Sequence, residues 1–415
     1  MRIPGVNDMD VLERFMRYAR ISTQSSEETE SQPSTAKQFD LATVLEQELN
    51  EMGAADVRLT RNCYVYARIP STLPEGVQER HKVGFIAHMD TAPSASDDHV
   101  TPRVVENYDG GDIELGHGKV LSPRHFPKLL EAVGCDLCVA DGRTLLGADD
   151  KAGIAEIMAM AEYFLAHPEI PHGEIEIAFT PDEEIGRGTE NFDIPGFGAD
   201  AAYTVDGGTL GELEYENFNA AEGKVLIHGV NIHPGEAKDK MINAQLVAME
   251  FNRLLPDCIP ANTEKREGFF HLCHMAGDES ECRMTYIIRD HDKEKFEEKK
   301  RLFREAADTL NRKLEQTDAS VEVSLRDEYY NMIEKIRPHM ELVDAAAEAY
   351  RDQGIEPVSV PIRGGTDGAM LFWKGLPCPN LSTGGENYHG IYEYLNVNAM
   401  LKMVDVLVSL TRKLA

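Results

Sequence analysis

The sequence predicts an α/β protein of two domains, with the smaller domain inserted into the larger one. Three observations support this prediction. The chain has 415 residues, which is long for a single hydrophobic core. Apolar strands alternate with amphipathic helices between residues 80 and 210, as in sheets built from βαβ units. Between residues 217 and 329 the order becomes βαββαβ, which is typical of a ferredoxin-like α+β domain. We therefore assign residues 1–216 and 330–415 to the larger domain and residues 217–329 to the inserted one.

Four segments define the first part of the larger domain. Strands are predicted at KVGFIAHMD, EIEIAFTP and AAYTVDGG, and a loop-rich insertion separates the first of them from a helix at AGIAEIMAMAEYFLAHP. Five apolar residues of that helix share one face, namely Ile154, Ile157, Met158, Ala161 and Leu165. After the inserted domain, two further helices are predicted near HMELVDAAAEAYRDQG and MLKMVDVLVSLTRKL.

The inserted domain is predicted from six segments in order. A strand at GKVLIHGV and a helix at MINAQLVAMEFNRLL precede strands at FFHLCHMAG and CRMTYIIRD, a helix at KEKFEEKKRLFREAADTLNRKL and a strand at SVEVSLRD. The second helix carries charges of both signs at spacings that allow i,i+4 pairs. We interpret its charged side as a solvated face rather than a binding patch.

The composition excludes several kinds of partner. The net charge of −30 argues against nucleic acid and against an acidic membrane surface. No run approaches the roughly 18 consecutive apolar residues of a membrane span, and VLERFMRYA predicts an amphipathic helix rather than a signal peptide. Seven cysteines, an odd and scattered set, indicate a reducing compartment. We therefore predict a cytoplasmic protein.

Potential metal ligands stand at five places where a strand ends or a glycine-bearing turn begins. They are His88 and Asp90 in FIAHMDTAP, Asp149 and Asp150 in LGADDKAG, Asp182, Glu183 and Glu184 in FTPDEEIGRG, Asp206 in YTVDGG, and His389 in NYHG. The carboxyl ends of strands in open α/β sheets face a common crevice. We therefore expect these side chains to converge although they are distant in sequence.

Each of these places also has a simpler interpretation. His88 could be an ordinary core histidine, and Asp149 and Asp150 could cap the helix that follows them. The three acids from Asp182 to Glu184 could form a solvated turn. The polar stretch TQSSEETESQPST near the N-terminus is interpreted as a surface loop. The pair in CDLC lacks two further ligands at plausible spacing, so we interpret it as ordinary thiols. A metal site explains all five places together.

Charge balance favours two divalent cations. A ligand set of His88, Asp149, Asp206, Glu184 and His389 carries three negative charges, which two divalent cations and one hydroxide would offset. Mixed imidazole and carboxylate ligands suit zinc, with manganese or cobalt as alternatives.

Three acids beside these ligands receive supporting roles. Asp90 follows His88 by two residues in an extended chain, so its carboxylate can reach the second ring nitrogen. Glu183 lies next to Glu184 and can act as a general base toward a metal-activated water. Asp182 is then expected to face solvent or to cap a turn.

At these motifs the sequence resembles the aminotripeptidases of the zinc-dependent metallopeptidase family that includes carboxypeptidase G, acetylornithine deacetylase and succinyl-diaminopimelate desuccinylase. The resemblance extends through HMDTAP, TLLGADDKAGIAEIM, HGEIEIAFTPDEEIGRG, AYTVDGGTLGELEYENFNA, NIHPGEAKDKMINA, PIRGGTDGA and GLPCPNLSTGGENYHG. It implies a mixed-sheet zinc-exopeptidase domain with an inserted lid domain, and release of the N-terminal residue from tripeptides. Another amidohydrolase of the family, such as a dipeptidase or an N-acyl amino acid deacylase, and a catalytically silent metal-binding relative are the alternatives.

The resemblance also implies a ligand assignment. One zinc would be held by His88, Asp149 and Asp206, and the other by Asp149, Glu184 and His389, with Asp149 as the bridge. Asp90 would be the supporting acid and Glu183 the base. The peptide bond that follows Asp149 is often cis in this family.

Three further residues are implied to contact a short peptide substrate. His233 in NIHPG would polarise the scissile carbonyl, and Arg289 and Arg363 would bind the carboxylate of the peptide. In relatives the lid histidine enters the cleft of a neighbouring subunit. We therefore predict a homodimer, and leave open whether His233 acts on its own subunit or on its partner.

Overall fold

The computed structural model describes residues 8–77, 80–362 and 365–415. Its helices are α1 (Asp8–Ala19), α2 (Gln38–Met52), α3 (Ala148–Ala166), α4 (Ile194–Phe197), α5 (Ala244–Leu254), α6 (Lys293–Leu314), α7 (Ile333–Ile336), α8 (Met340–Asp352), α9 (Asp367–Trp373) and α10 (Val397–Leu414). Within the described part of the chain, no helix has the length and apolar character needed to cross a membrane.

The strands fall into three larger sheets and one hairpin. They are β1 (Ala55–Leu59), β2 (Val65–Ile69), β3 (Val83–His88), β4 (Arg103–Val105), β5 (Ile113–Gly116), β6 (Lys119–Leu121), β7 (Leu137–Val139), β8 (Ile175–Thr180), β9 (Ala201–Gly207), β10 (Glu212–Glu214), β11 (Asn219–His228), β12 (Phe269–Gly277), β13 (Glu281–Asp290), β14 (Ser320–Tyr329), β15 (Val358–Ser359), β16 (Asn380–Ser382), β17 (Gly385–Glu386) and β18 (Tyr394–Asn396).

The chain divides into two compact units. The larger unit comprises Met1–Tyr215, Lys335–Val360 and Thr366–Ala415, and the inserted unit comprises Glu216–Glu334 and Pro361–Gly365. A backbone hydrogen bond connects the two segments of the inserted unit: the amide of Ile362 donates to the carbonyl oxygen of Glu216 at 2.8 Å.

The larger unit is built on an eight-stranded mixed sheet in the order β1-β2-β8-β3-β9-β16-β10-β15. Strands β8, β3, β9 and β16 are parallel neighbours. Every residue of β3 and β8 is buried, as expected for strands covered on both faces. Helix α3 packs against β3 and β9. The predicted α/β class is confirmed.

The segment predicted as a loop-rich insertion is more regular than expected. It contains β4 and β7, which join β17 and β18 in a second sheet, and the hairpin of β5 and β6. These strands have only three or four residues. Strands this short do not show enough alternation to be recognised from the sequence.

The inserted unit has the predicted βαββαβ order. Its antiparallel sheet has the strand order β12-β13-β11-β14, and α5 and α6 pack against it. Phe251, Tyr286 and Phe303 contact one another edge-to-face or tilted at the centre of this packing. Asp292 caps α6 by accepting from the amide of Lys295. The ferredoxin-like assignment is confirmed.

Candidate metal centre

Three adjacent parallel strands carry candidate ligands to one edge of the larger sheet. His88 is the last residue of β3, and the strand pairs in register with β8 so that His88 lies opposite Thr180. The acids Glu183 and Glu184 follow β8 in a single 3-10 turn. Ile86 pairs with Thr204 of β9, so Asp206, two residues further, is level with His88. The predicted convergence is therefore produced by strand register.

The start of α3 adds Asp149 to this edge. Asp149 and Asp150 have non-helical backbone dihedrals, and the peptide bond between them is cis. The helix approaches β9 closely at Gly153, where a Cβ atom would lie 1.8 Å from the carbonyl oxygen of Val205. Only glycine permits this approach, which brings the first turn of α3 up to the strand ends.

Asp149 lies between the two histidines. Its Oδ1 is 2.8 Å from Nε2 of His88, and its Oδ2 is 3.0 Å from Nε2 of His389. Asp206 Oδ1 lies 3.5 Å from the same nitrogen of His88, and Glu184 Oε2 lies 2.9 Å from that of His389. Each oxygen of one carboxylate thus faces a separate group of candidate ligands, as a bridging carboxylate requires.

The donor atoms fit two cations. Nδ1 of His88 lies 3.0 Å from the carbonyl oxygen of Asp90, and because a carbonyl can only accept, Nδ1 carries a proton and Nε2 faces the acids. Oε1 of Glu184 is buried and has no hydrogen-bond partner among the described residues. An unpaired buried carboxylate oxygen is costly unless a cation contacts it. We conclude that this edge has the donor set of a dinuclear metal site.

Asp150 is close to this centre but is otherwise engaged. It lies near His88 and Asp206 and is fully buried. Its two oxygens accept from the backbone amides of His88 and Gly153, both at 3.2 Å. It therefore supports the ends of β3 and α3, and we do not assign it as a ligand.

Burial and mutual repulsion shift the titration of the centre. Burial raises the pKa of Glu184 to about 7 and that of Asp206 to about 6. Hydrogen bonds to Asp149 and Glu184 raise the pKa of His389 to about 11. Burial lowers the pKa of His88, but the nearby carboxylates outweigh this effect and raise it well above its usual value. Burial would raise the pKa of Asp149, but the two histidines hold it below its usual range. Without metal, the carboxylates therefore share protons with the two imidazoles. Divalent cations would replace these protons.

Asp90 supports the centre chiefly through backbone contacts. Its Oδ1 is 3.4 Å from Nδ1 of His88, further than its own carbonyl oxygen. Its carboxylate accepts instead from the amides of Glu183 at 2.9 Å and Glu184 at 3.2 Å. One buried carboxylate therefore links the end of β3 to the acidic turn after β8.

The expectation that Asp182 faces solvent or caps a turn is wrong. Asp182 is fully buried, and its carboxylate accepts from the amide and hydroxyl of Ser34 and from Nε2 of Gln38. Its backbone adopts a left-handed conformation with φ of 60°. The polar stretch near the N-terminus packs over this residue, so it is more than a solvated loop. The sequence could not show this contact, because 148 residues separate its partners.

Glu183 is half-buried. No described residue donates a hydrogen bond to its carboxylate. Burial raises the pKa of Glu183 well above its usual value, with a further contribution from the charges of Asp206 and Asp367. A carboxylate with a raised pKa and no protein donor has the properties of a general base.

Two buried acids of the centre were not singled out from the sequence. Asp367 lies in the quoted motif IRGGTDGA, and its Oδ2 accepts from the hydroxyl of Thr180 at 2.8 Å. Glu393 is 1% exposed and accepts from three backbone amides of the turn before α3. The sequence around Glu393 contains little to identify it as part of the centre, since Glu393 is a single acid four residues after His389 in HGIYEY.

The predicted substrate residues belong to a different part of the chain. His233 is exposed in the inserted unit, and its Nδ1 accepts from the amide of Gly235 at 3.2 Å. Arg289, also in the inserted unit, donates to Glu328 at 3.0 Å and lies 5.1 Å from the ring centre of Tyr329. Arg363 lies outside the described residues. Their substrate roles stay predictions.

Comparison with known proteins identifies close relatives. The model of Peptidase family M20/M25/M40 matches residues 140–413. A peptidase T of Clostridium perfringens strain 13 is 52% identical over 403 residues, which cover 97% of this chain and 98% of that protein. A peptidase T of Exiguobacterium sp. strain ATCC BAA-1283 / AT1b is 52% identical over 408 residues, which cover 98% of each.

Solved structures share the fold. The aminopeptidase PepT of Bacillus cereus ATCC 10987 has a TM-score of 0.77 at 21% identity, with 99% of each chain covered. The YXEP protein of Bacillus subtilis, described as a dinuclear metal-binding peptidase, has a TM-score of 0.66 at 14% identity, with 98% of each chain covered. The resemblance stated from the motifs is confirmed, and the chain belongs to peptidase family M20/M25/M40.

Proposed function

We propose that the protein is a zinc-dependent aminopeptidase that releases the N-terminal residue from tripeptides. The names of its relatives support a peptidase, since proteins called peptidase T are 52% identical over nearly the full chain. A solved structure with a TM-score of 0.78 is described as a tripeptidase from Staphylococcus aureus. The observation that carries the proposal is the position of Asp149, whose two oxygens face two different histidines.

We assign one metal to His88, Asp149 and Asp206 and the other to Asp149, Glu184 and His389. The second group combines two carboxylates with an imidazole within 3.0 Å of both. Imidazole and carboxylate ligands together favour zinc over calcium or magnesium. When bound, two such cations would polarise the scissile carbonyl and lower the pKa of the attacking water.

Glu183 is assigned as the general base. Its carboxylate has no protein donor, so it is free to accept a proton from the attacking water and to pass it to the leaving amine. The amide contacts of Asp90 hold the backbone of Glu183 while leaving its side chain available. The raised pKa of Glu183 favours proton exchange near neutral pH.

His233, Arg289 and Arg363 are assigned to the substrate. Because Nδ1 of His233 accepts a hydrogen bond, the neutral ring carries its proton on Nε2, which can donate to the carbonyl oxygen of a peptide. An arginine binds the carboxylate of a peptide through two parallel hydrogen bonds, and its distance from the metals would select peptide length. Arg289 would exchange its contact with Glu328 for the substrate.

Product analysis tests the activity. Purified protein with measured zinc content is incubated with Ala-Ala-Ala, Ala-Ala and N-acetyl-alanine, and the products are separated. We expect alanine and Ala-Ala from the tripeptide and little reaction with the others. Cleavage of Ala-Ala or N-acetyl-alanine in preference to the tripeptide would identify a different amidohydrolase. Two bound zinc ions without hydrolysis of any of the three would identify a silent relative.

We further propose that the protein is a homodimer formed through the inserted unit. Strand β12 is at the edge of its sheet, and its residues from 273 to 277 are exposed. Leu246 and Met249 of α5 expose 62% and 48% of their surface, and Met275 of β12 exposes 38%. An unpaired strand edge beside exposed apolar side chains is typical of a surface that pairs with a second copy.

Mixing two inactive variants tests the dimer and the role of His233. Glu183→Ala and His233→Ala chains are co-expressed with different tags, and the heterodimer is purified. Activity in the heterodimer would show that His233 acts on the partner, since one site would then contain both intact residues. An inactive heterodimer would assign His233 to its own subunit. A monomer in sedimentation equilibrium at assay concentration would refute the dimer.

A further inference from the structure

Glu393 has unusual surroundings for a residue outside the ligand set. Its side chain is 1% exposed. Oε2 accepts from the amides of Leu146 at 2.7 Å and Gly147 at 2.9 Å, and Oε1 accepts from the amide of Asp149 at 3.1 Å. A single carboxylate therefore satisfies three backbone donors at and just before the start of α3.

The same residue closes the loop that carries His389. Strands β17 and β18 pair, and the loop between them runs from residue 387 to residue 393. The amide of Glu393 donates to the carbonyl oxygen of Gly390 at 3.2 Å, and the next residue, Tyr394, pairs with Val139 of β7. The position of Glu393 is thus set by the second sheet, independently of α3.

Glu393 consequently links the segments of two candidate ligands. Asp149 and His389 are 240 residues apart in sequence, yet their side chains approach to 3.0 Å. His389 has a left-handed backbone with φ of 64°, which is uncommon for a residue other than glycine. The three hydrogen bonds of Glu393 tie this loop to the backbone of Leu146, Gly147 and Asp149.

We propose that Glu393 is a positioning residue that sets the geometry of the metal shared by Asp149, Glu184 and His389. The proposal rests on the dinuclear site of the proposed function. It predicts that Glu393 controls the affinity of this metal more than that of the metal shared by His88 and Asp206. Both metals depend on the backbone of Asp149, but only the first also depends on the loop of His389. Substitution of residues that orient ligands in this way typically lowers metal affinity or activity by 10- to 100-fold.

The carboxylate of Glu393 is needed for its acceptor capacity. Three amides require two acceptor oxygens, which an ionised glutamate provides. A glutamine has one acceptor oxygen, and its NH2 group would face at least one amide. Glu393→Gln therefore keeps the volume of the side chain but displaces the turn of Asp149. Glu393→Asp keeps both oxygens on a side chain one methylene shorter, so it should restore part of the loss.

Metal titration tests the proposal without relying on catalysis. Metal-stripped wild type, Glu393→Gln, Glu393→Asp, His389→Ala and Glu176→Gln are titrated with Zn2+ by calorimetry, and their Co2+ absorption spectra are recorded. We expect Glu393→Gln to weaken, by about 10- to 100-fold, the same binding step that His389→Ala removes, and to alter the Co2+ spectrum. Glu393→Asp should lie between wild type and Glu393→Gln.

Glu176→Gln is the matched control. Glu176 is also a buried glutamate of the larger unit, but it lies near the start of β8, and the acidic turn follows the other end of that strand. The zinc affinities of the Glu176→Gln variant should equal those of wild type. Equal affinities and an unchanged Co2+ spectrum in Glu393→Gln, even with a lower melting temperature, would overturn the proposal by reducing Glu393 to a structural role. A wild type that binds fewer than two zinc ions would instead refute the dinuclear site itself.

Discussion

The metal centre and helix α6 both contain many charged side chains, but these side chains differ in solvent exposure and in their charged partners. On α6, Arg301 pairs with Glu298 at 3.2 Å and with Glu305 at 2.6 Å, and all three side chains are more than half exposed. At the centre, the side chain of Glu184 is 4% exposed and that of Asp149 10%, and three carboxylates share two imidazoles as their nearest charged partners. Water and opposite charges balance the first group, whereas the second group is largely shielded from water and contains more carboxylates than imidazoles.

The difference shows which charged residues indicate function. Exposed ion pairs contribute only about 0.2–1 kcal/mol each, so their loss has little effect. Buried carboxylates that face one another are unfavourable unless cations or protons offset them. Raised pKa values at Glu184 and Asp206 are the signature of that imbalance. The following experiments test whether metals supply the missing charge, beginning with the largest expected effect.

Replacing the bridging acid should affect both metals. We expect Asp149→Ala to lose both zinc ions, because its two oxygens face both groups of ligands. His389→Ala and Asp206→Ala should each lose one. Metal content is measured by atomic emission after gel filtration. An Asp149→Ala protein that retains one zinc at wild-type affinity would remove Asp149 from the bridging role.

Replacing the base should affect rate but not metal content. We expect Glu183→Ala to keep two metals and to lose roughly two to four decades of kcat, the scale of general acid–base catalysis. KM for Ala-Ala-Ala should change little, since Glu183 is assigned to proton transfer rather than to binding. Steady-state kinetics with metal analysis of the same sample check both statements. Wild-type kcat in this variant would contradict the assignment.

Metal removal should make stability depend on pH in a defined direction. In the metal-free folded protein the pKa of Glu184 is about 7 and that of Asp206 about 6, both above the unfolded values. The folded state therefore binds more protons, and the free energy of unfolding falls as pH rises through this range. The raised pKa of His389 acts in the same direction above pH 6.5.

We expect metal-stripped protein to melt at a lower temperature at pH 8 than at pH 5.5. Zinc should stabilise it more at pH 8, because fewer protons then compete for the ligands. Thermal unfolding at both pH values, with and without Zn2+, measures this. A metal-stripped protein that is more stable at pH 8 would contradict the argument.

The buried anchor Asp182 should contribute to stability. We expect Asp182→Asn to reduce the free energy of unfolding by about 1–3 kcal/mol, because an amide cannot accept the hydrogen bonds of Ser34 and Gln38 in the same way. Asp344→Asn, at an exposed position of α8, is the matched control and should change little. Urea unfolding measures both variants. Equal effects would mean that the contacts of Asp182 are unimportant.

The exposed pairs of α6 should give the smallest effect. We expect Arg301→Ala to change the free energy of unfolding by no more than about 0.5 kcal/mol, because both of its partners are solvated. Urea unfolding at low and high salt measures this. A loss above about 2 kcal/mol would show that charge on α6 matters as much as charge at the centre.

Much of the fold could be predicted, and the second sheet shows one reason why the rest could not. The helix at residues 293–314 and the strand at residues 269–277 have the predicted bounds, because periodicity over many residues defines them. The second sheet of the larger unit was missed because its strands have only two or three residues. Their pairing depends on partners from distant parts of the chain.

The sequence by itself determined the fold class, the family and the positions where ligands can occur, since motifs such as HMD and DEE stand at strand ends that a local pattern reveals. Only the tertiary structure decided how the remaining acids are used. Asp182 and Asp90 stand beside candidate ligands in the sequence and Glu393 does not stand out, yet each accepts hydrogen bonds from the backbone of a distant segment. Such contacts leave no local signal, because any residue can supply a backbone amide. The roles of these acids are therefore set by which segments the fold brings together.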